Sequence, residues 1–66
     1  MNKSSNGIEI KKGSVIREYK YGMCLESTVI TDPFVNDRGQ LEFDAKTKRG
    51  VIVEYMKYAS SLEVAL

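Results

Sequence analysis

The chain offers chemistry through four tyrosines, ten lysines and arginines, nine carboxylates and a single cysteine, Cys24, with no histidine at all. One thiol excludes an internal disulfide, and the missing imidazole excludes a Cys/His zinc site. A reactive Cys24 would need a base or positive surroundings that only lysine or arginine could supply, so it reads as a buried structural thiol. Glu26, Glu42 and Asp44 could pair carboxylates for acid-base work, but that work needs one of them desolvated so that its pKa rises. Strand alternation places all three in water. They read as an acidic strip for a basic partner, or as cross-strand matches to lysine or arginine. Gly39 and Gly50 lack the Lys-Ser/Thr context of a phosphate-binding loop and read as turn residues. No catalytic residue, cofactor or metal ligand is expected, and the chain reads as a non-enzyme.

Binding surfaces are what remains. Tyr19 and Tyr21 fall on one side of an extended run, and with Tyr58 they could form an aromatic patch for a protein partner, since tyrosine offers a rigid face with a polar tip. The plainer reading makes Tyr19, Tyr21 and Tyr55 barrel core or rim. The charges are segregated although the formal net charge is only +1. Lys3, Lys11, Lys12, Arg17 and Lys20 crowd the first twenty residues, the middle of the chain is acidic, and Lys46, Lys48 and Arg49 follow together. Lys11, Lys12, Lys46, Lys48 and Arg49 could therefore make a basic face for nucleic acid. A sequence pI near 7.8 and the lack of an arginine-rich run favour solvated strand faces instead.

At 66 residues the chain is one domain, since so short a chain buries only about 60% of its unfolded surface and cannot divide its core. Its stability must be slight, and self-association through an open strand edge, as a homodimer, is one way to raise it. No run approaches the ~18 apolar residues of a membrane-spanning helix, so no membrane partner is expected. Residues 1–7 are polar, lack the apolar stretch of a signal peptide and read as a flexible arm. Asn2-Lys3-Ser4 matches the glycosylation acceptor pattern by chance. A cytoplasmic location and a role as a bacterial or bacteriophage accessory protein are the default expectations for such a chain.

The elements that must position these groups are strands. Ile8 and Ile10 alternate with Glu9 and Lys11 as a short edge strand before Gly13 breaks the run. From Val15 the odd positions carry Val15, Arg17, Tyr19, Tyr21, Met23, Leu25, Ser27 and Val29 along one side, in a stretch too long for one flat strand, with Gly22 as the place to bend or turn. The β-branched load of Val15, Ile16, Thr28, Val29, Ile30 and Thr31 argues against helix. Asp32-Pro33 interrupts the ladder, and Phe34-Val35 extends the strand beyond a bulge. Asn36-Asp37-Arg38-Gly39 is a turn. Leu41, Phe43 and Ala45 then alternate with polar residues, Lys46–Gly50 closes a hairpin, and Val51, Val53 and Tyr55 return. Tyr58–Ser61 holds a single helical turn, and Leu62, Val64 and Leu66 alternate as a last strand. The expected core is Val15, Leu25, Val29, Leu41, Phe43, Val51, Val53 and Val64.

This order, with a tight hairpin followed by one helical turn and a short final strand, resembles the Src homology 3-like barrel over roughly residues 12–66. The resemblance implies an all-β fold, a small five-stranded antiparallel barrel occupying residues 8–66. In it Lys12-Gly13-Ser14-Val15-Ile16 opens the first strand, Asn36 to Gly39 joins the second and third, and Lys46 to Gly50 forms the distal hairpin. The acidic loop, paired tryptophan and proline-tyrosine signature of the peptide-binding members are absent, so polyproline recognition is not carried over. An oligonucleotide-binding barrel would need a helix where residues 46–50 leave room only for a turn. Three functional expectations follow: a module binding another protein, a nucleic-acid-binding barrel, or a structural part of an oligomeric assembly.

Overall fold

The computed structural model describes residues 2–65. They form β1 (Val15–Lys20), β2 (Met23–Val29), β3 (Phe34–Val35), β4 (Leu41–Thr47), β5 (Ile52–Lys57), a 3-10 turn (Ala59–Ser61) and β6 (Glu63–Val64). All pairings are antiparallel, in the order β3-β4-β2-β1-β6, with β5 on the other edge of β4. The sheet curls into a half-barrel, in agreement with the small antiparallel barrel expected. Three elements differ from expectation. Ile8–Lys11 is no strand and contributes only an isolated Lys3–Glu9 bridge, while β3 and β6 are two-residue strands.

The β4–β5 hairpin follows the sequence closely. Phe43 faces Tyr55 across the ladder, and their rings stack with centroids 5.0 Å apart, a geometry that adds to the burial of two large faces. The Thr47 side chain accepts from the Val51 amide at the turn. At 36–39 the Asn36 side-chain oxygen accepts from the amides of Arg38 and Gln40, and Gly39 takes a φ of 79°. β2 and β3 run along the same edge of β4 as one interrupted strand. Ile30 still donates to Asp44, then Thr31 through Pro33 bulge out, and Phe34 rejoins opposite Glu42.

The largest correction concerns phase. Tyr21 and Gly22 form a two-residue hairpin turn, with φ of 53° and 73°, and Lys20 faces Met23. A two-residue turn pairs even positions of β1 with odd positions of β2, so the expected single odd face does not exist. Ile16, Glu18 and Lys20 share the concave face with Ser27, Leu25 and Met23, whereas Val15, Arg17 and Tyr19 lie on the convex face with Thr28, Glu26 and Cys24. The buried core is consequently Ile10, Ile16, Val29, Leu41, Phe43, Ala45, Tyr55, Ala59, Leu62 and Val64. Val15 is half-buried, and Leu25, Val51 and Val53 are exposed instead of central. Cys24, expected to be buried, is exposed.

Residues 2–7 are bonded into the fold where the sequence suggested a loose arm. Ser5 donates to the Leu62 carbonyl, the Asn6 side chain bonds both backbone groups of Val64, and Ser4 is buried. The arm thereby closes the end of the barrel over Leu62 and satisfies backbone groups that a two-residue strand leaves free. Leu66, placed in the last strand by its alternation, lies outside the described residues. Among the described residues no helix is long and apolar enough to cross a membrane.

Candidate binding cleft

Both hairpin tips lie at one end of the molecule. Ser27 of β2 faces Thr47 of β4, so residues 23–26 continue past the end of β4 alongside the turn that joins β4 to β5. β2 and β5 therefore flank the concave face with no strand between them at this end. The space left is a cleft of about 720 Å³. Met23 and Leu25 line one wall, Val51 and Val53 the other, with Tyr55 and Ser27 deeper in. Val51 is 56% exposed and Leu25 39%, values that belong to a concave face lacking an opposing layer. Among the described residues β5 is hydrogen-bonded along one edge only, to β4, so the other edge from Ile52 to Lys57 carries unpaired backbone groups beside the cleft.

Two ion pairs cross the cleft margins. Lys57 of β5 reaches the Glu18 carboxylate of β1. Lys48, on the distal turn, lies 3.4 Å from Glu26 of β2. Glu26 is also bonded by the Arg17 Nε at 3.0 Å, and the Arg17 guanidinium extends to Glu63 of β6. The ladder Glu63–Arg17–Glu26–Lys48 thus ties four segments on the convex side. The Arg17 hydrogen bond first, and Lys48 second, hold the Glu26 carboxyl below its ordinary value. Such a carboxylate stays ionised and is unsuited to proton transfer. Glu42 and Asp44 lie on the convex face of β4, Glu42 accepting from the Asn36 amide and Asp44 standing opposite Glu54.

The three tyrosines expected to cooperate are not brought to one face. Tyr19 is on the convex side opposite Cys24, where its hydroxyl donates to Glu63 and the Glu63 charge raises its pKa. Tyr21 is 92% exposed at the β1–β2 tip, with the Lys20 ammonium 5.9 Å from its ring. Tyr58 is exposed beyond the far end of β5, away from that tip. The basic residues are likewise divided. Lys46 is on the convex face opposite Thr28, Lys48 is held by Glu26, and Arg49 stands on the distal turn. Lys11 and Lys12 sit in a turn closed by the Ser14 amide at the Val29 end of β2, away from Lys48 and Arg49. The cleft does not follow from the sequence reading because three of its wall residues, Leu25, Val51 and Val53, are expected in the core. The available signal was an excess of alternating apolar positions over what so short a chain can cover.

No family model, curated protein or solved structure matches this chain.

Proposed function

We propose that this protein is a non-enzymatic interaction module, a Src homology 3-like half-barrel that accepts an extended segment of a protein partner in its open cleft. The reading rests on one observation: an unpaired edge of β5 lies directly beside an uncovered apolar concave face. An extended segment added to that edge gains main-chain hydrogen bonds from β5. Every second side chain then lands on Met23, Leu25, Val51 or Val53. Tyr21 at the tip provides a rigid aromatic surface beside the same opening. Glu26, Glu42 and Asp44 support the non-enzymatic reading, since one is locked in ion pairs and the others stand on the convex face. An exposed unpaired thiol at Cys24 suits a reducing compartment such as the cytoplasm.

Fluorescence anisotropy with a labelled peptide of alternating valine and serine tests the cleft. Val51→Lys and Leu25→Lys each replace an apolar contact with a charge and should weaken binding roughly tenfold or more. Both sites are partly exposed, so a far-UV spectrum should remain that of the parent protein. Equal binding by the parent and both variants would remove the proposal.

A further inference from the structure

The cleft has an electrical polarity that its apolar walls do not. Glu18 is consumed by Lys57, and Glu26 by Arg17 and Lys48. Among the described residues two cations along the cleft make no ion pair: Lys20, at the end of β1, and Arg49, on the distal turn. Both belong to the same end, because the β1–β2 tip and the β4–β5 turn lie together. Glu54, the remaining carboxylate lining the cleft, stands opposite Asp44 midway along β5, short of the hairpin tips. The mouth at the hairpin tips therefore carries the positive charge of Lys20 and Arg49, while Lys48 belongs to the neutral ladder of Glu63, Arg17 and Glu26.

Strand direction converts this charge into a directional preference. β5 begins at the tip end with Ile52, just after Val51, and runs away from it to Lys57. A segment adding antiparallel to β5 runs the other way and finishes at the tips, so its C-terminal end reaches Lys20 and Arg49. The antiparallel ladder is also the more stable of the two pairings per residue. Resting on the cleft reading above, we infer that the preferred partner is an extended segment of alternating apolar residues that ends at a C-terminal acidic residue. Its apolar side chains face Val53, Val51 and Leu25 in turn, and its terminal charge is received by Lys20 and Arg49. Capture of a terminal carboxylate on a sheet edge is a recognised mode of peptide binding.

The test uses the peptide acetyl-Ser-Val-Ser-Val-Ser-Val-Asp with a free C-terminus, fluorescently labelled on its first serine. Two controls accompany it: the same peptide with asparagine amide in place of the last residue, and a peptide with the aspartate moved to the amino end and an amidated C-terminus. The acid-terminated peptide should bind about fivefold or more tightly than either control, the worth of one to two exposed ion pairs. The Lys20→Ala/Arg49→Ala variant should erase that preference while still binding the amide control as the parent does. Rising salt should narrow the gap between peptides, because exposed charges are screened. Equal affinity for all three peptides, with Val51→Lys still abolishing binding, overturns the carboxylate preference and leaves the cleft standing. Binding that ignores Val51→Lys overturns both. A concentration-dependent dimer in sedimentation that Val51→Lys dissolves gives the cleft to a second copy and also overturns the inference.

Discussion

Replacing Tyr21 by asparagine should stabilise the protein. The residue sits at φ 53° in a two-residue turn, a left-handed conformation in which a β-carbon crowds the following carbonyl at a cost of roughly 1–2 kcal/mol. Asparagine tolerates that conformation and, followed by Gly22, makes the preferred sequence for such a hairpin. Little is lost in exchange. The ring is 92% exposed, so almost no burial disappears, and its contact with the Lys20 ammonium at 5.9 Å contributes about 0.5 kcal/mol at such an exposed site. The balance is a gain of roughly 0.5–1 kcal/mol, which in a domain of this size raises Tm by about 3–6 °C. Thermal unfolding followed by circular dichroism measures it, with Tyr21→Ala as the control that removes the ring yet keeps the backbone strain. A Tyr21→Asn protein melting no higher than Tyr21→Ala would refute the argument from backbone strain. If Tyr21 also meets the partner, the stabilised variant binds peptide more weakly, since strain retained in the free protein is a feature of recognition sites.

Two further outcomes follow from the convex face. Glu26 has a depressed folded pKa, so its ion pairs stabilise the protein above the ordinary carboxylate value of 4.5 and are lost as pH falls through the lower folded value. Chemical denaturation of Glu26→Gln across pH 3 to 7 should therefore show a shallower acid-side fall than the parent, and parallel curves would contradict the assignment. Cys24, exposed on β2, should react stoichiometrically with a thiol reagent in the absence of denaturant, followed by absorbance. Protection until unfolding would return it to the core.

How much of this was legible depended on whether turn residues announced themselves. Lys46–Gly50 and Asn36–Gly39 did so, through glycines at positive φ and an asparagine able to bond the backbone, and the alternation of Leu41, Phe43 and Ala45 correctly marked the buried face of β4. The run from Tyr19 to Met23 did not. Tyr21 is a strand former placed where asparagine or aspartate is usual, so only Gly22 marks the turn, and carrying one odd-numbered face through it reverses the face assigned to every residue of β1. Ile16 was lost to the core and Val15 gained by that single error. Residues 2–7 were illegible for another reason: Ser4 and Asn6 act through hydrogen bonds to Ile8 and Val64, and polar composition cannot distinguish such bonds from solvation.

Alternation is equally silent about whether a second layer exists. Met23, Leu25, Val51 and Val53 carry the period of a buried face, yet a chain of 66 residues spends its apolar contacts closing the other end of the barrel around Leu62, Val64 and Ile10. What remains is a concave surface that water covers only at a cost in free energy, beside a strand edge already extended and already aligned. On the proposed reading, the small core that limits stability is also what leaves the cleft open to a partner. Any occupant that binds the folded form alone adds RT ln(1 + [L]/Kd) to its stability, about 2.7 kcal/mol at a hundredfold excess over Kd, a large share of what so small a domain can possess. On the proposed reading, covering the cleft would complete the barrel and engage the partner in one step, which ties the open face of the fold to its proposed use.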